Sequence, residues 1–455
     1  MKELPPLEQL TPAQKDALIR ELWQRLQVLE GSQAQAAAKR VKKTSKNSSQ
    51  PPSQGFKANV SASEPRLEQR RASVGRAGGG RELRADPDQI VIARAKQCPH
   101  CGAGVCASSQ KLSAIYERLE LPPVRVQVTR VERYGGVCEG CQQHYESPVP
   151  VGLEPGSPYG ASIASLLSYR RYTQAVSYTR LSQLLADLYG LAISEGAIAN
   201  LLQRVQAQLQ TPMAAMLARL RQSRLIGSDE TGARVAGKTQ WEWVFQNEQV
   251  CVHVIRPTRG KQVIQAVMAG HRPEVWVSDL YSAQRASPAA QRQVCLAHQL
   301  RDCEYARESG DRLFAPLMKR LLLRAIALGR RRGRISAATF AKHRRRLDRL
   351  LAQLLCLTPE HEQGQRLQRR YERIQGELFL FLEDETIPPT NNHSEQALRP
   401  SVIFRKLTNG FRSEWGADLF ASMRSLLDTA KRQGIGAFEA ITRALSTPHA
   451  DWLFT

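Results

Sequence analysis

The sequence predicts a multidomain α/β protein: a mixed-sheet core with a long helical insertion, preceded by a cysteine-paired module and an N-terminal coiled-coil helix. Three observations lead there. Between Arg224 and Ala297 the runs RLIGSDETGARV, WEWVFQ, VCVHVIRP, VWVSDL and RQVCLA carry strand-type apolar patterns, in the order strand, strand, strand, helix, strand, helix, strand. Two CxxC pairs lie upstream, and a leucine stripe at helical spacing stands near the start. A length of 455 residues suits two to four domains at roughly 100–200 residues each.

The elements follow in chain order. Residues 7–31 read as a helix, with Thr11 as N-cap, Pro12 at the first helical position and Gln14 closing a capping box. Leu18, Leu22, Leu26 and Leu29, with Ile19 and Trp23 beside them, form one apolar stripe that needs a partner. A coiled coil between copies of the chain, hence a homo-oligomer, and a helix folded back on its own domain both satisfy that need. Residues 32–89 read as a basic disordered linker. Within 32–84, twelve Lys/Arg stand against three Glu, about +9, in a Ser/Gln/Gly/Pro-rich stretch with few apolar residues.

Residues 90–150 hold Cys98-Pro-His-Cys101 and Cys138-Glu-Gly-Cys141. Two such pairs, each in a tight turn, can offer four thiolates to a structural Zn²⁺, so this segment reads as a closed, noncatalytic zinc-binding module. The 36 intervening residues leave room for strands as in a zinc ribbon; His100, Cys106 and His144 are substitute ligands of lower weight. Residues 151–222 read as helical. Gly190 as a turn and Ser194 as the cap of a following helix suggest a helix-turn-helix, one of the ways a fold enters a DNA groove. Residues 223–299 form the first part of the sheet core, 300–385 a basic helical insertion, and 386–455 the remaining helices. Nineteen Lys/Arg against eight acids in 301–373 give about +11. The insertion contains Arg330, Arg331, Arg332 and Arg334, then Lys342, Arg344, Arg345 and Arg346. Like charges so dense repel on a solvated helix, and bound phosphates would relieve them.

Composition narrows the partner. Lys and Arg total 65 against 42 acids, a net charge of +23 and a sequence pI near 10.0, which attracts a polyanion, nucleic acid first. A mean hydropathy of -0.40 and no apolar run of membrane-spanning length exclude a transmembrane reading. The opening MKELPPLEQL lacks a secretory signal, and nine cysteines, an odd number, suit a reducing compartment, so a cytoplasmic, nucleoid-associated protein is expected.

Candidate chemistry rests on carboxylates. Asp229 follows the apolar pair Leu225-Ile226 and closes the first strand, and Asp279 closes Val275-Trp276-Val277-Ser278. Two acids at adjacent strand ends project to one side and share a hard cation, Mg²⁺ or Mn²⁺. Glu395, early in a helix started by Asn391 or Asn392, is the best third acid; Glu230, Glu383, Asp384 and Glu385 compete. Cys295-Leu-Ala-His298 reads more as core packing than as ligation. His393 is read as support for the helix start, and Arg399 and Arg405 as DNA-backbone contacts or as a solvated helix face.

SDETGARV, SDLYSAQ, CLAHQLRD and NNHSEQALRP resemble the catalytic-core blocks of bacterial insertion-sequence transposases of the family numbered sixty-six, in the Asp-Asp-Glu group. The resemblance covers most of the chain, and NNxxEQALRP is its most specific block; Leu280-Tyr281 stands where relatives often have Gly-Tyr or Phe-Tyr. It implies a ribonuclease-H-like core with a helical insertion before the Glu, and Asp229, Asp279 and Glu395 as the catalytic triad. The implied activity is cleavage and transfer of DNA strands by two-ion chemistry, acting on double-stranded element ends and target, with a multimer and possible accessory transposition proteins. Two other classes remain open: a noncatalytic zinc-containing DNA-binding protein or repressor, and a ribonuclease-H-like nuclease.

Overall fold

The computed structural model describes residues 11–38, 41, 43, 47, 82–122, 124–447 and 449–454. Most of the expected disordered linker, and the first turn of the expected leucine helix, lie outside them. The described residues form two compact units, one from 56–129 with 188–190, the other from 1–55, 130–187 and 191–455.

The smaller unit has little regular structure. A bridge pairs Gln97 with Gly104, and a single 3₁₀ turn spans Ala107–Ser109. Gln110 closes it by exchanging side-chain hydrogen bonds with the Ala95 backbone, at 2.9 and 2.8 Å.

The larger unit begins with α1, Pro12–Ala38. Its capping box forms: the Thr11 amide donates to Gln14 Oε1 at 2.9 Å. The helix runs past Gly31, where an end was expected, because the following SQAQAAA is made of good helix formers that outweigh one glycine. Ile19, Leu22, Trp23 and Leu26 are exposed and Leu18 is half-buried, so most of the described apolar stripe is open to solvent. A small hairpin follows, β1 (Gly135–Val137) against β2 (His144–Glu146).

Next come α2 (Ala161–Gln174), α3 (Tyr178–Tyr189), α4 (Glu195–Gln208) and α5 (Gln210–Leu220). Ser194 caps α4 through the Ala197 amide at 3.2 Å, as its sequence position suggests. The block packs on buried Leu167, Leu181, Leu185, Ile198, Leu202 and Leu209.

A five-stranded sheet forms the centre. β3 (Leu225–Val235), β4 (Lys238–Gln246) and β5 (Cys251–Arg256) make an antiparallel meander. After α6 (Gln262–Met268), β6 (Val275–Ser278) joins β3 in parallel, and after the single turn α7 (Ser282–Arg285), β7 (Gln291–Val294) joins β6 in parallel. The strand order is β5-β4-β3-β6-β7. One expectation is corrected here. Asp229 does not close its strand: β3 continues to Val235, because Thr231–Val235 keep pairing with Lys238–Glu242 of the hairpin. What ends at Gly227 is the pairing with β6.

β5 is an edge strand, and its exposed amides would be left without partners. They are met by α13 (Glu414–Arg432), which packs along it. Ser425 Oγ accepts from the His253 amide at 2.7 Å, and Thr429 Oγ1 from the Cys251 amide at 3.0 Å. The Ser425 and Thr429 spacing of one helical turn matches two residues of strand.

The insertion consists of α8 (Leu296–Glu308), α9 (Phe314–Gly329), α10 (Ala337–Leu355) and α11 (Glu362–Ile374). Its core is continuous with the sheet: Val275, Val277 and Val294 cluster with Phe314, Met318, Leu322 and Tyr371. The chain returns through α12 (Asn392–Thr408) and, after α13, ends in α14 (Ala437–Ser446) against α2. Among the described residues no helix is long and apolar enough to cross a membrane.

Cys303 tests the packing of the insertion. It is fully buried on α8 with its thiol 3.4 Å from Tyr371 Oη on α11, and burial pushes its pKa up to about 12. Below that pH the thiol is neutral, so at pH 8 only about one part in ten thousand is thiolate. Mass spectrometry after iodoacetamide at pH 8 should find Cys356, which is exposed, alkylated and Cys303 untouched until denaturant is added. Early modification of Cys303 in the native protein would contradict this packing.

Candidate active site

The register of β3 on β6 sets up the site. Leu225 faces Val275 and Gly227 faces Val277, so Asp229 and Asp279 each lie two residues past the last pair and share one pleat parity. Asp229 Oδ1 accepts from the Glu230 amide at 2.9 Å, and Asp279 Oδ1 from the Tyr281 amide at 2.9 Å. Burial raises the Asp229 carboxyl well above its usual range, and the charges of Glu230 and Asp279 push the same way.

Glu395 arrives on the first turn of α12. Asn391 anchors that turn, though not as a conventional cap. Its side-chain amide donates to the Ser228 carbonyl on β3 at 2.7 Å, and its Oδ1 accepts from Ser394 Oγ at 2.7 Å. Gln246 on β4 donates to Ser394 at 2.9 Å, and the Asn391 amide points to Cys295 Sγ at 3.1 Å. Gly227 permits this approach: a Cβ there would meet Ser394 Oγ at 3.3 Å and Asn391 Oδ1 at 3.4 Å.

Glu395 then lies 3.6 Å from His298 Nδ1 and 3.9 Å from an Arg301 nitrogen. Cys295, His298 and Glu395 bring ligand-type atoms within 4.8 Å of one another, so the CxxH block abuts the site. Burial disfavours a charged His298, but Cys295, Glu395 and Asp279 outweigh it and push its pKa up to about 9. For Cys295, burial opposes ionisation, yet His298 and the Asn391 amide lower its pKa.

The competing acids have other partners. Glu230 takes Arg259 through two nitrogens at 3.0 and 2.7 Å, and Gln284 at 2.7 Å. Arg259 is itself held between Trp241 and Tyr281, 4.6 and 3.8 Å from the ring centroids. Asp384 pairs with Arg224 and Thr386, and Glu383 with Arg344; Glu385 is exposed.

A divalent cation fits what remains. Glu395 Oε1 is buried without a hydrogen-bond partner, and Asp229 sits in a field of like charge that a hard cation would relieve. Beside Asp279 opens a cavity of about 350 Å³ lined by Tyr281, Arg285, His298, Arg370 and Arg373, among others. Sequence reasoning missed Asn391 as an anchor, and Arg259, Arg285, Arg370 and Arg373 altogether.

The remaining sequence-selected cations divide into two groups. Arg330, Arg331, Arg334, Arg345, Arg346 and Arg399 are exposed. Arg332 instead donates to the Leu382 carbonyl and lies over the Phe340 ring, Arg344 pairs with Asp348 and Glu383, and Arg405 donates to Thr231 Oγ1 at 3.2 Å. His393 lines a second, larger cavity. At each cysteine pair the chain closes a tight turn: the Cys98 carbonyl accepts from Gly102 at 2.9 Å, and the Cys138 carbonyl from Gln142 at 2.8 Å. Amides within each turn lower the pKa of Cys98, led by Cys101, and of Cys138, led by Cys141, which favours the thiolate that metals bind.

A family model described as Transposase IS66 family matches residues 156–419, more than half of the chain. The chain belongs to the IS66 transposase family. No curated protein matches it. Membership makes this transposase a DNA-acting enzyme, and the matched span contains Asp229, Asp279, Glu395, the insertion and the anchor at Asn391.

Replacement of Asn391 by Asp keeps its shape but sets an acceptor against the Ser228 carbonyl. A buried polar group left unpaired costs roughly 1–3 kcal/mol. Asn391→Asp should lower the melting temperature and reduce strand cleavage, whereas Asn392→Asp, at an exposed position, should do neither; equal behaviour of the two would remove the anchor.

Proposed function

We propose that this transposase binds the ends of an insertion sequence and catalyses metal-dependent strand cleavage and strand transfer on double-stranded DNA, with Asp229, Asp279 and Glu395 as its catalytic triad. One observation carries the reading: two acids in equivalent register on adjacent parallel strands, joined by a helix-borne Glu395 whose buried Oε1 lacks a hydrogen-bond partner. The strand order, an antiparallel meander extended by two parallel strands, supports a ribonuclease-H-like core.

The three carboxylates would hold Mg²⁺ or Mn²⁺. The chemistry such ions supply when bound is activation of a hydroxyl nucleophile and stabilisation of a leaving 3′ oxygen. The chain's own residues supply the geometry. Asn391 and Ser394 fix the turn that bears Glu395. His298 lies 3.6 Å from Glu395 and would orient its carboxylate. Arg259 neutralises Glu230 so that this acid stays out of the cluster. Arg285, Arg370 and Arg373 border the cavity at Asp279, where they would orient phosphates flanking the reacting one. Each cysteine pair would offer its thiolates to structural Zn²⁺, and the exposed apolar residues of α1 support self-association, which would bring two element ends together.

The test is cleavage of duplexes with and without candidate terminal repeats. Asp229→Asn, Asp279→Asn and Glu395→Gln should each keep wild-type DNA binding and lose Mg²⁺-dependent cleavage. Robust cleavage by any of them would remove that residue from the triad, and binding without cleavage by the wild type would favour a noncatalytic DNA-binding role.

The exposed arginines give a second outcome. Each phosphate contact contributes a salt-dependence slope of about 0.9 in log K against log salt. Charge reversal of Arg345 and Arg346 together should therefore weaken DNA binding and lower the slope by about 2. Arg344→Ala should instead lower stability, because Arg344 is tied to Asp348 and Glu383. An unchanged slope in the double reversal would take α10 off the DNA.

A further inference from the structure

We propose that Cys251, His253 and Asp428 form a second, buried metal site for a zinc-class divalent ion, which pins edge strand β5 to α13. Cys251 and His253 are two residues apart on β5 and so share a face; Asp428 comes from α13. Their ligand atoms all lie within 4.8 Å of one another. His253 Nε2 is 3.0 Å from Asp428 Oδ2 and 3.4 Å from Cys251 Sγ. A zinc ion with bonds of about 2.0–2.3 Å to nitrogen, oxygen and sulfur holds tetrahedral neighbours roughly 3.3–3.5 Å apart, close to these separations.

Hydrogen bonding alone accounts for the cluster less well. Nε2 carries at most one hydrogen, yet two acceptor-type atoms converge on it. If the Cys251 thiol donates instead, Asp428 Oδ2 faces a bare lone pair. The other side of the ring is arranged as metal sites usually arrange it. Glu242 Oε1 takes His253 Nδ1 at 2.9 Å, which fixes the tautomer and turns the Nε2 lone pair toward Cys251 and Asp428. Ser401 on α12 orients Glu242 in turn, at 2.7 Å. Glu242 is fully buried and its Oε2 has no hydrogen-bond partner, which indicates a local shortage of positive charge.

Charge and access also suit an ion. With Cys251 and Asp428 as anions, His253 neutral, Glu242 ionised and Arg424 paired to Asp428, a divalent cation brings the cluster to neutrality. Binding would release the thiol proton and any proton on Nε2 to solvent. Thiolate and imidazole donors select zinc over magnesium. Asp428 and Arg424 also line a cavity of about 870 Å³, which offers a route in and space for a fourth ligand. Because Glu242 reaches α12 through Ser401, the site would brace the helix that carries Glu395 on the same face of the sheet as Asp229. None of this depends on the reaction proposed above.

Metal analysis of the purified full-length chain tests it. Wild type should retain one more equivalent of Zn²⁺ per chain than Cys251→Ser or Asp428→Asn. Should those variants fail to fold, the full chain with Cys98, Cys101, Cys138 and Cys141 all changed to Ser should still retain one equivalent, and its melting temperature should fall when a chelator removes it. Equal zinc in wild type and the two variants, or no zinc in the four-serine chain, would overturn the site and leave a buried proton between His253 and its two carboxylates.

Discussion

Like charges must be brought together against their own repulsion, and the hydrogen bond from Asn391 to the Ser228 carbonyl is what makes that tolerable here. Two of the three acids need no such help, since the β3–β6 register carries Asp229 and Asp279 to equivalent positions. Glu395 is different. It comes from a helix more than a hundred residues later, with the whole insertion between. A helix start floating by an ångström would shift its carboxylate relative to His298, 3.6 Å away. Asn391 and Ser394 remove that freedom by bonding to β3 and β4, and Cys295 fixes the same turn from the β7 side.

Electrostatics then determines which acids belong to the site. Seven carboxylates lie at this end of the sheet and in the segment leading into α12, and the fold pairs Glu230, Glu383 and Asp384 with arginines. Glu230 is the instructive case, because it adjoins Asp229 and is buried. Its two oxygens are taken by Arg259 and Gln284, and Arg259 is immobilised between two aromatic faces, so the pair is rigid. Asp229 has no such arginine partner among the described residues, and Glu395 Oε1 is buried without a hydrogen bond, so these are the acids that a cation would satisfy.

Much of this was legible in the chain. Strand patterning located all five strands, and the position of Asp279 just after an apolar run was readable because burial on both sides of a parallel strand leaves a continuous apolar signature. The end of β3 was misplaced at Asp229 although the run RLIGSDETGARV extends past it: the strand continues to Val235 because β4 folds back on it. The CxxC and Asp/Glu motifs could be found from local spacing, whereas Asn391 and Arg259 work through partners distant in sequence, which no local pattern reveals. Arg332 and Arg344 show the reverse error. A run of arginines reads as uniformly available, yet the turn after α9 directs Arg332 against Phe340 and the Leu382 carbonyl, and the geometry of α10 directs Arg344 against Phe379.

That inward turn bears on how the basic insertion relates to the chemistry. The apolar cluster of α8–α11 includes Val275, Val277 and Val294 of the sheet, so the insertion has no separate core and cannot swing as an independent domain without opening that cluster. Arg344 and Arg332 tie α10 and the turn after α9 to the segment 379–383, just ahead of α12. Phosphates bound by the exposed Arg345 and Arg346 would therefore load a body rigidly joined to β6, whose end bears Asp279. The same helices also send Arg370 and Arg373 to the cavity beside that residue. The exposed charge of the insertion and the strand end that bears Asp279 are thus mechanically one piece, and the same body brings Arg301 beside Glu395 and Arg370 and Arg373 to the cavity at Asp279.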